Sequence, residues 1–524
     1  MRCFIRGGFV ALLLAGLFLG RAWAVIYLPN GAPTADAQCA IYGNGPWSND
    51  SVTIPKGATA YFQAINEADV DVPCDGGSAV DDEVTTFQWD FSYDGQNFNV
   101  EGTGKSASHP YSSPGHYTVA LRIDDAALYA NDSSVIADTV QVHVFQLSLT
   151  HLEFDWSESN TANALSIRHN YATPYTLPEW VKGGRNDPAA YVVSMSVRVV
   201  GRFTIEPSDI SSARVQATSS DTLGDLEPET ITFSGGVSSP EYQGFDAENT
   251  TPGAIKRFDQ EWEWYAASPP DGTNWVKFDD SGPHKVYVVL DVPQNPWYCG
   301  DWTTHPYNYN QRPWRTALDK LCNWAVPNLS DPSEAVSAVA QGLYGCIGRY
   351  NSIDGDPQYT DWSDGTLDLT SLIANLGGNE AINCYDCGKG TVAIANVGGC
   401  DGEYKRVYPF GYVNCVKAAG HTVWANNPFW ENDLSASDKI VGKDDDWEED
   451  RRSYFWDHAF ATRTYIYDAS AKVDWDDKPY EPPHQEAWLV HLSWTTFKSK
   501  LWDDTPEGPD GAPGTPTKYT FDLQ

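Results

Sequence analysis

Asn383-Cys384-Tyr385-Asp386-Cys387-Gly388-Lys389-Gly390-Thr391-Val392-Ala393-Ile394-Ala395-Asn396-Val397-Gly398-Gly399-Cys400 decides how the chain reads. Val392, Ile394, Ala395 and Val397 give a short helix a mostly apolar body, and Gly398-Gly399 supply the stop expected at a helix C-terminus. Cys384 then stands at the helix start, where unsatisfied N–H groups and the macrodipole favour an anion. That dipole is worth about 0.3–1 kcal/mol, under about one pKa unit. It is too weak alone to bring a thiol from about 8.5 to well below neutrality. A neighbouring imidazolium is required.

The segment Trp456-Asp457-His458-Ala459-Phe460 offers one, and Tyr467-Asp468-Ala469-Ser470 follows it. If Phe460–Thr462 pairs with Tyr465–Tyr467 across a two-residue turn, Asp468 falls opposite Ala459, one position from His458. The carboxylate could then hold the ring in the tautomer a general base needs. A cysteine at a helix start, followed by His and Asp on neighbouring strands, resembles the transglutaminase-like cysteine enzymes, with their papain-type α+β arrangement. The local match is Cys384-x-Asp386, Gly399, and the H-A-F and Y-D-A-S segments. Gly388 and Gly390 depart from it, because that helix usually carries better helix formers.

The resemblance implies that Cys384 attacks an amide carbonyl, of a glutamine side chain or a peptide bond. His458 would take and later return the proton, and Asp468 would orient it. The Cys384 N–H, at the helix start, is one oxyanion donor, with Tyr359 or Trp362 as candidates for the second. Asp474 is the alternative to Asp468, and His421 the alternative base. No calcium-site pattern is evident near the triad, so neither metal nor cofactor is expected. Cys384-Tyr385-Asp386-Cys387 also reads as a redox pair, as half of a zinc site with Cys400 and Cys415, or as structural disulfide cysteines. No second C-x-x-C follows and no thioredoxin βαβ pattern precedes it, which favours the nucleophile.

At the start of the chain, Arg2 and Arg6 precede the apolar run Phe9–Leu19, and Ala22-Trp23-Ala24 forms an A-x-A site. Residues 1–24 are therefore expected to be a signal peptide, and the mature chain to be secreted or displayed at the cell surface without inserting into membrane. The chain of 524 residues holds 71 acidic against 34 basic residues; losing Arg2, Arg6 and Arg21 takes the net charge from -37 to about -40. Such a surface repels nucleic acid and anionic membranes. Nine cysteines remain beyond Cys3: one free nucleophile and four disulfides would account for them, with Cys39 pairing to Cys74.

Residues 25–147 read as a β-sandwich: Tyr117, Val119, Leu121 and Ile123 alternate with polar neighbours, as do Val140, Val142 and Val144. The words Trp89-Asp90-Phe91-x-x-Asp94-Gly95, His109-x-Tyr111 and Pro114-Gly115-x-Tyr117-x-Val119 resemble the PKD domain, an immunoglobulin-like module. Ser92-Tyr93 replaces its usual glycine. That resemblance implies a spacer or adhesion role, with Trp89 and Tyr111 in the core. Residues 148–298 give a second sandwich, whose Trp262, Trp264 and Trp275 belong to its core or to a sugar-stacking face.

Helices follow at Trp314–Ala325, after Asp331-Pro332-Ser333-Glu334, and at Leu369–Leu376. Residues 299–504 would form the transglutaminase-like domain and 505–524 a flexible tail. The expected whole is multidomain: two all-β immunoglobulin-like sandwiches, then an α+β enzyme acting on a protein or peptide through Cys384, His458 and Asp468. A cell-surface or matrix polysaccharide or protein would be its other partner. The alternative is a non-catalytic adhesion or structural protein with an inactive copy of that fold.

Overall fold

The computed structural model describes residues 34–68, 84–125, 135–154, 164–165, 167–170, 177–270, 272–297, 312–326, 328–351, 356–363, 365–413, 416–422, 453–455, 457–474, 485–502 and 513–523. The expected leader at 1–24 lies outside them, as do Cys74, Cys299 and Cys415. The chain divides into two compact units, the first made mainly of residues up to His143 and the second mainly of Val144–Gln524.

In the first unit Thr34–Ala40, Thr59–Ala68 and Ser106–Pro110 form one antiparallel sheet. Val84–Asp90 pairs with Gly102–Thr103 and Gly115–Asp125 in another. Trp89 and Tyr111 are buried, as the alternation requires. Each polar tip finds a carbonyl: Trp89 Nε1 donates to Gly104 O at 2.9 Å, and the Tyr111 hydroxyl to Phe91 O at 3.2 Å. Asp90, also buried, accepts from the N–H groups of Ser92 (3.0 Å) and Asn99 (2.7 Å), which fixes the loop around Asp94-Gly95.

The second unit begins with β-structure. Val276–Val289 is one long strand paired along Lys256–Ala267. Gly282 joins the halves at φ +111°, where a Cβ would lie 2.6 Å from Gln260 O, so only glycine fits. Trp262 and Trp264 are buried and donate to Gly224 O (3.1 Å) and Ser281 Oγ (2.9 Å). They are core residues, not a sugar-stacking face.

Five helices are described in the second unit: α1 (Arg315–Trp324), α2 (Pro332–Cys346), α3 (Leu369–Ala374), α4 (Cys384–Asn396) and α5 (Trp494–Leu501). The expected caps operate: Asp331 accepts from Ser333 N and Glu334 N at 2.8 and 3.0 Å, with Pro332 in the first turn. A six-stranded sheet follows, ordered Val416–Ala418, Ile466–Asp474, His458–Thr462, Glu403–Val407, Thr517–Tyr519, with Glu486–Leu492 also paired to Ile466–Asp474.

Helix α4 is buried along its whole length, between α1, α2 and α3 and the strands His458–Thr462 and Ile466–Asp474. Its core extends to Leu165, Ile167, Tyr287 and Val289, and Trp297 Nε1 donates to Ala393 O at 2.7 Å. Packing is therefore continuous across residue 298. The chain end differs from the flexible tail expected: Thr517–Tyr519 pairs with Glu403–Val407, and Phe521 and Leu523 are buried.

The glycines that weaken α4 as a helix explain its position. A Cβ on Gly388 would sit 3.2 Å from the Phe460 backbone, and one on Gly390 2.9 Å from Leu372 Cδ2. The strand carrying His458 thus approaches the helix carrying Cys384 closely. Gly388→Ala should improve helix propensity yet destabilise the protein by about 1–3 kcal/mol through overpacking. Urea unfolding of the purified variant measures it.

Candidate active site

Asn383 caps α4. Its Oδ1 accepts from Tyr385 N (2.9 Å) and Asp386 N (3.3 Å), which fixes the backbone that carries Cys384. Asp386, buried in the first turn, accepts from Gln358 N (2.8 Å) and Tyr359 N (3.1 Å) and so ties down the preceding loop. Burial raises its pKa, partly offset by those donors.

His458 opens the strand opposite. Its Nε2 meets Asp468 Oδ2 at 2.7 Å. The other Asp468 oxygen accepts from Ser470 N (2.8 Å) and Ser470 Oγ (2.6 Å), so the carboxylate is held by three donors. With Nε2 committed to Asp468, Nδ1 is buried without a hydrogen-bond partner, and Cys384 is among the groups that act on the charge of the ring. Phe410, Phe455, Phe460 and Phe497 surround the ring at centroid distances of 5.2–6.1 Å.

Burial works against charging His458, but the Asp468 carboxylate outweighs it, with Cys384 adding to the effect; the pKa is pushed up to about 10. The histidine is therefore held as imidazolium against the Asp468 carboxylate. Cys387, one turn along, is raised well above the usual thiol value by burial and stays protonated. The candidate nucleophile of the C-x-x-C is Cys384.

The six cysteines among the described residues, Cys39, Cys322, Cys346, Cys384, Cys387 and Cys400, are free thiols, so Cys384 and Cys387 do not form a disulfide. With Cys39 free, the expected Cys39–Cys74 pair is not formed, and with six of the nine cysteines free the expected four disulfides are not formed either. Among the described residues no group of three His, Cys, Asp or Glu is arranged to hold a metal ion.

The strand register differs from the two-residue turn expected. Ala461 pairs with Tyr467 and Thr462 with Ile466, around a three-residue turn closed by Arg463 N to Tyr465 O at 2.9 Å. Continued, this places Asp468 across from Phe460, so that His458 is its diagonal neighbour on the same face. Asp474 lies at the far end of that strand, across from Glu486, and His421 is exposed opposite Arg349. Tyr359 spends its N–H on Asp386, and the exposed Trp362 packs edge-on against Tyr385 at 4.6 Å.

Sequence reasoning passed over a second link between the two halves. The Tyr385 hydroxyl donates to Asp457, and Arg406 pairs with the same carboxylate. The neighbour of Cys384 is thereby latched to the neighbour of His458. Asp457 stood beside His458 in the sequence, but nothing there pointed to Tyr385.

A family model for the PKD domain matches residues 55–144. Residues 55–144 form a PKD domain. PKD domains are typically extracellular, and no helix among the described residues is long and apolar enough to cross a membrane. No curated protein matches the chain. Among solved structures, one described as "Structural basis for the promiscuous specificity of the carbohydrate-binding modules from the beta-sandwich super family" is similar at 14% identity and a TM-score of 0.16, covering 48% of this chain and 100% of that one. So low a score carries no argument about ligands.

The raised pKa of His458 has a definite sign in folding. The stabilisation is fully present below the ordinary value of 6.5 and is lost as pH rises through about 10. Asp468→Asn should lower the pKa of His458 by about 1–3 units, because the opposite charge is gone while the burial remains. Histidine ring signals in an NMR pH titration report it.

Proposed function

We propose that Cys384, His458 and Asp468 form a nucleophilic centre acting on amide bonds of proteins or peptides. The surrounding α+β region would be a transglutaminase-like, papain-type domain in an exported protein that also carries the PKD domain. The observation that carries this reading is the buried His458, bonded through Nε2 to Asp468, with its Nδ1 unpartnered and Cys384 among the groups that act on its charge.

In the proposed reaction the Cys384 thiolate forms a C–S bond to the amide carbon, and the carbonyl π pair moves onto oxygen. The Cys384 N–H at the start of α4 faces that oxyanion, where the helix end favours negative charge. Collapse of the intermediate breaks the C–N bond, and His458 gives its Nδ1 proton to the departing ammonia or amine. Neutral His458 then takes a proton from whatever opens the thioester. Water makes the protein a protease or deamidase, and a lysine amine makes it a cross-linker.

One observation favours a structural or adhesive role instead: Cys384 is only 7% exposed. Assay of ammonia release and amine incorporation with glutamine-containing peptides, beside a peptide-bond hydrolysis assay, separates the readings. The wild type should turn over in one of the three, Cys384→Ala should abolish that turnover, and His458→Ala should reduce it by about 10²–10⁴-fold. Turnover that persists in Cys384→Ala contradicts the assignment.

A further inference from the structure

Among the described residues the exposed tryptophan, tyrosine and phenylalanine side chains are Trp362 (53% exposed), Tyr408 (58%) and Tyr519 (45%). Two of them meet in one cluster at the start of α4. Trp362 stands edge-on to Tyr385, with ring centroids 4.6 Å apart. The Arg406 guanidinium lies over the Tyr385 ring at 5.3 Å and over the Tyr408 ring at 5.7 Å. Tyr385 follows Cys384 in the chain, and its hydroxyl is bonded to Asp457, which precedes His458. The cluster is therefore built on the neighbours of both Cys384 and His458.

A single exposed aromatic side chain on a loose loop is ordinary. This one is held. Gln358 N and Tyr359 N donate to the Asp386 carboxylate of α4 at 2.8 and 3.1 Å. Beyond them Thr360 bridges to Leu367, and Asp361 N donates to Thr366 O and Gly365 N to Asp361 O, both at 2.9 Å. Leu367 N donates in turn to Asp522 O at 2.9 Å. Trp362 thus sits inside a closed loop fixed at both ends. A large apolar side chain held in water gains burial when something covers it and loses little ordering entropy, which is how a binding hot spot works. Arg406 adds a flat face whose charge is met by Asp457. Such a surface favours a planar or large apolar side chain over a charged one.

We propose that Trp362 and Tyr408 form the specificity subsite of the Cys384 centre, taking a large apolar or aromatic side chain of the substrate polypeptide next to the reactive amide. This inference rests on the nucleophile assignment above: a polypeptide whose amide reaches Cys384 passes the end of α4 on which Tyr385 and the cluster stand. It makes the substrate a polypeptide, because free glutamine or a small amide has no second side chain to place there.

The test uses glutamine peptides that differ only in the residue beside the glutamine: Phe, Leu, Gly or Asp. Each is measured in turnover by the full-length protein and in calorimetric binding to Cys384→Ala. The wild type should favour the Phe over the Gly peptide by about tenfold in kcat/KM, through KM, and Cys384→Ala should bind the two in a similar ratio. Trp362→Ala should bring that ratio close to one. Trp362→Phe, which keeps the apolar face and lacks the indole N–H, should retain most of it. Both Trp362 and Tyr408 are more than half exposed, so their replacement leaves the core intact.

Equal use of all four peptides overturns the inference and leaves the nucleophile assignment standing. So does an equal fall in kcat for every peptide in Trp362→Phe, which would make the indole N–H a donor to the oxyanion. Preference for the Phe peptide in binding to Cys384→Ala, with no turnover by the wild type, retains the subsite as a peptide-binding surface and removes the nucleophile assignment. Binding of oligosaccharides and of no peptide, lost in Trp362→Ala, overturns the subsite as proposed.

Discussion

The candidate site depends on a buried ion pair. His458 is 1% exposed and Asp468 0% exposed, yet the ring is held charged against the carboxylate. Two charges out of water are costly unless the geometry is good and the remaining lone pairs are filled. Here Ser470 fills them with its N–H and hydroxyl. Removing Asp468 would strand a buried cation, whereas an apolar pair of similar volume would cost nothing. The pair is therefore poor as a stabilising device and well suited to keeping an imidazolium beside a thiol.

That geometry is imposed by the packing around it. Helix α4 is enclosed on all sides, and Gly388 lets it press against the Phe460 backbone, two residues from His458. The Tyr385–Asp457–Arg406 link closes the outer side of the same junction. Helix and strand are thus fixed against each other at two points. Continuity of this core with Tyr287 and Val289 means that the β-rich first part of the second unit braces the helix that carries Cys384.

Much of this was legible from local signals. The Asp331-Pro332-Ser333-Glu334 cap, the glycine stop after α4, and the alternation around Trp89 and Tyr111 each need only neighbours in sequence, and each has its expected structural counterpart. What needed tertiary information was misread or missed. The turn after Thr462 is longer by one residue, because Arg463 N bonds to Tyr465 O, and this moves Asp468 from beside His458 to the diagonal position on its face. The buried chain end was hidden by the Pro/Gly-rich stretch before it, though Phe521 and Leu523 were the signal.

The central claim is that Cys384 makes and breaks a covalent bond to an acyl group. Acid quenching during turnover of a glutamine-containing peptide, followed by intact-mass measurement and peptide mapping, tests it directly. The account predicts an added mass equal to the peptide less ammonia, or less its leaving amine, located on Cys384, released by hydroxylamine and absent from Cys384→Ala. Turnover with no adduct, or an adduct on another residue, would contradict it.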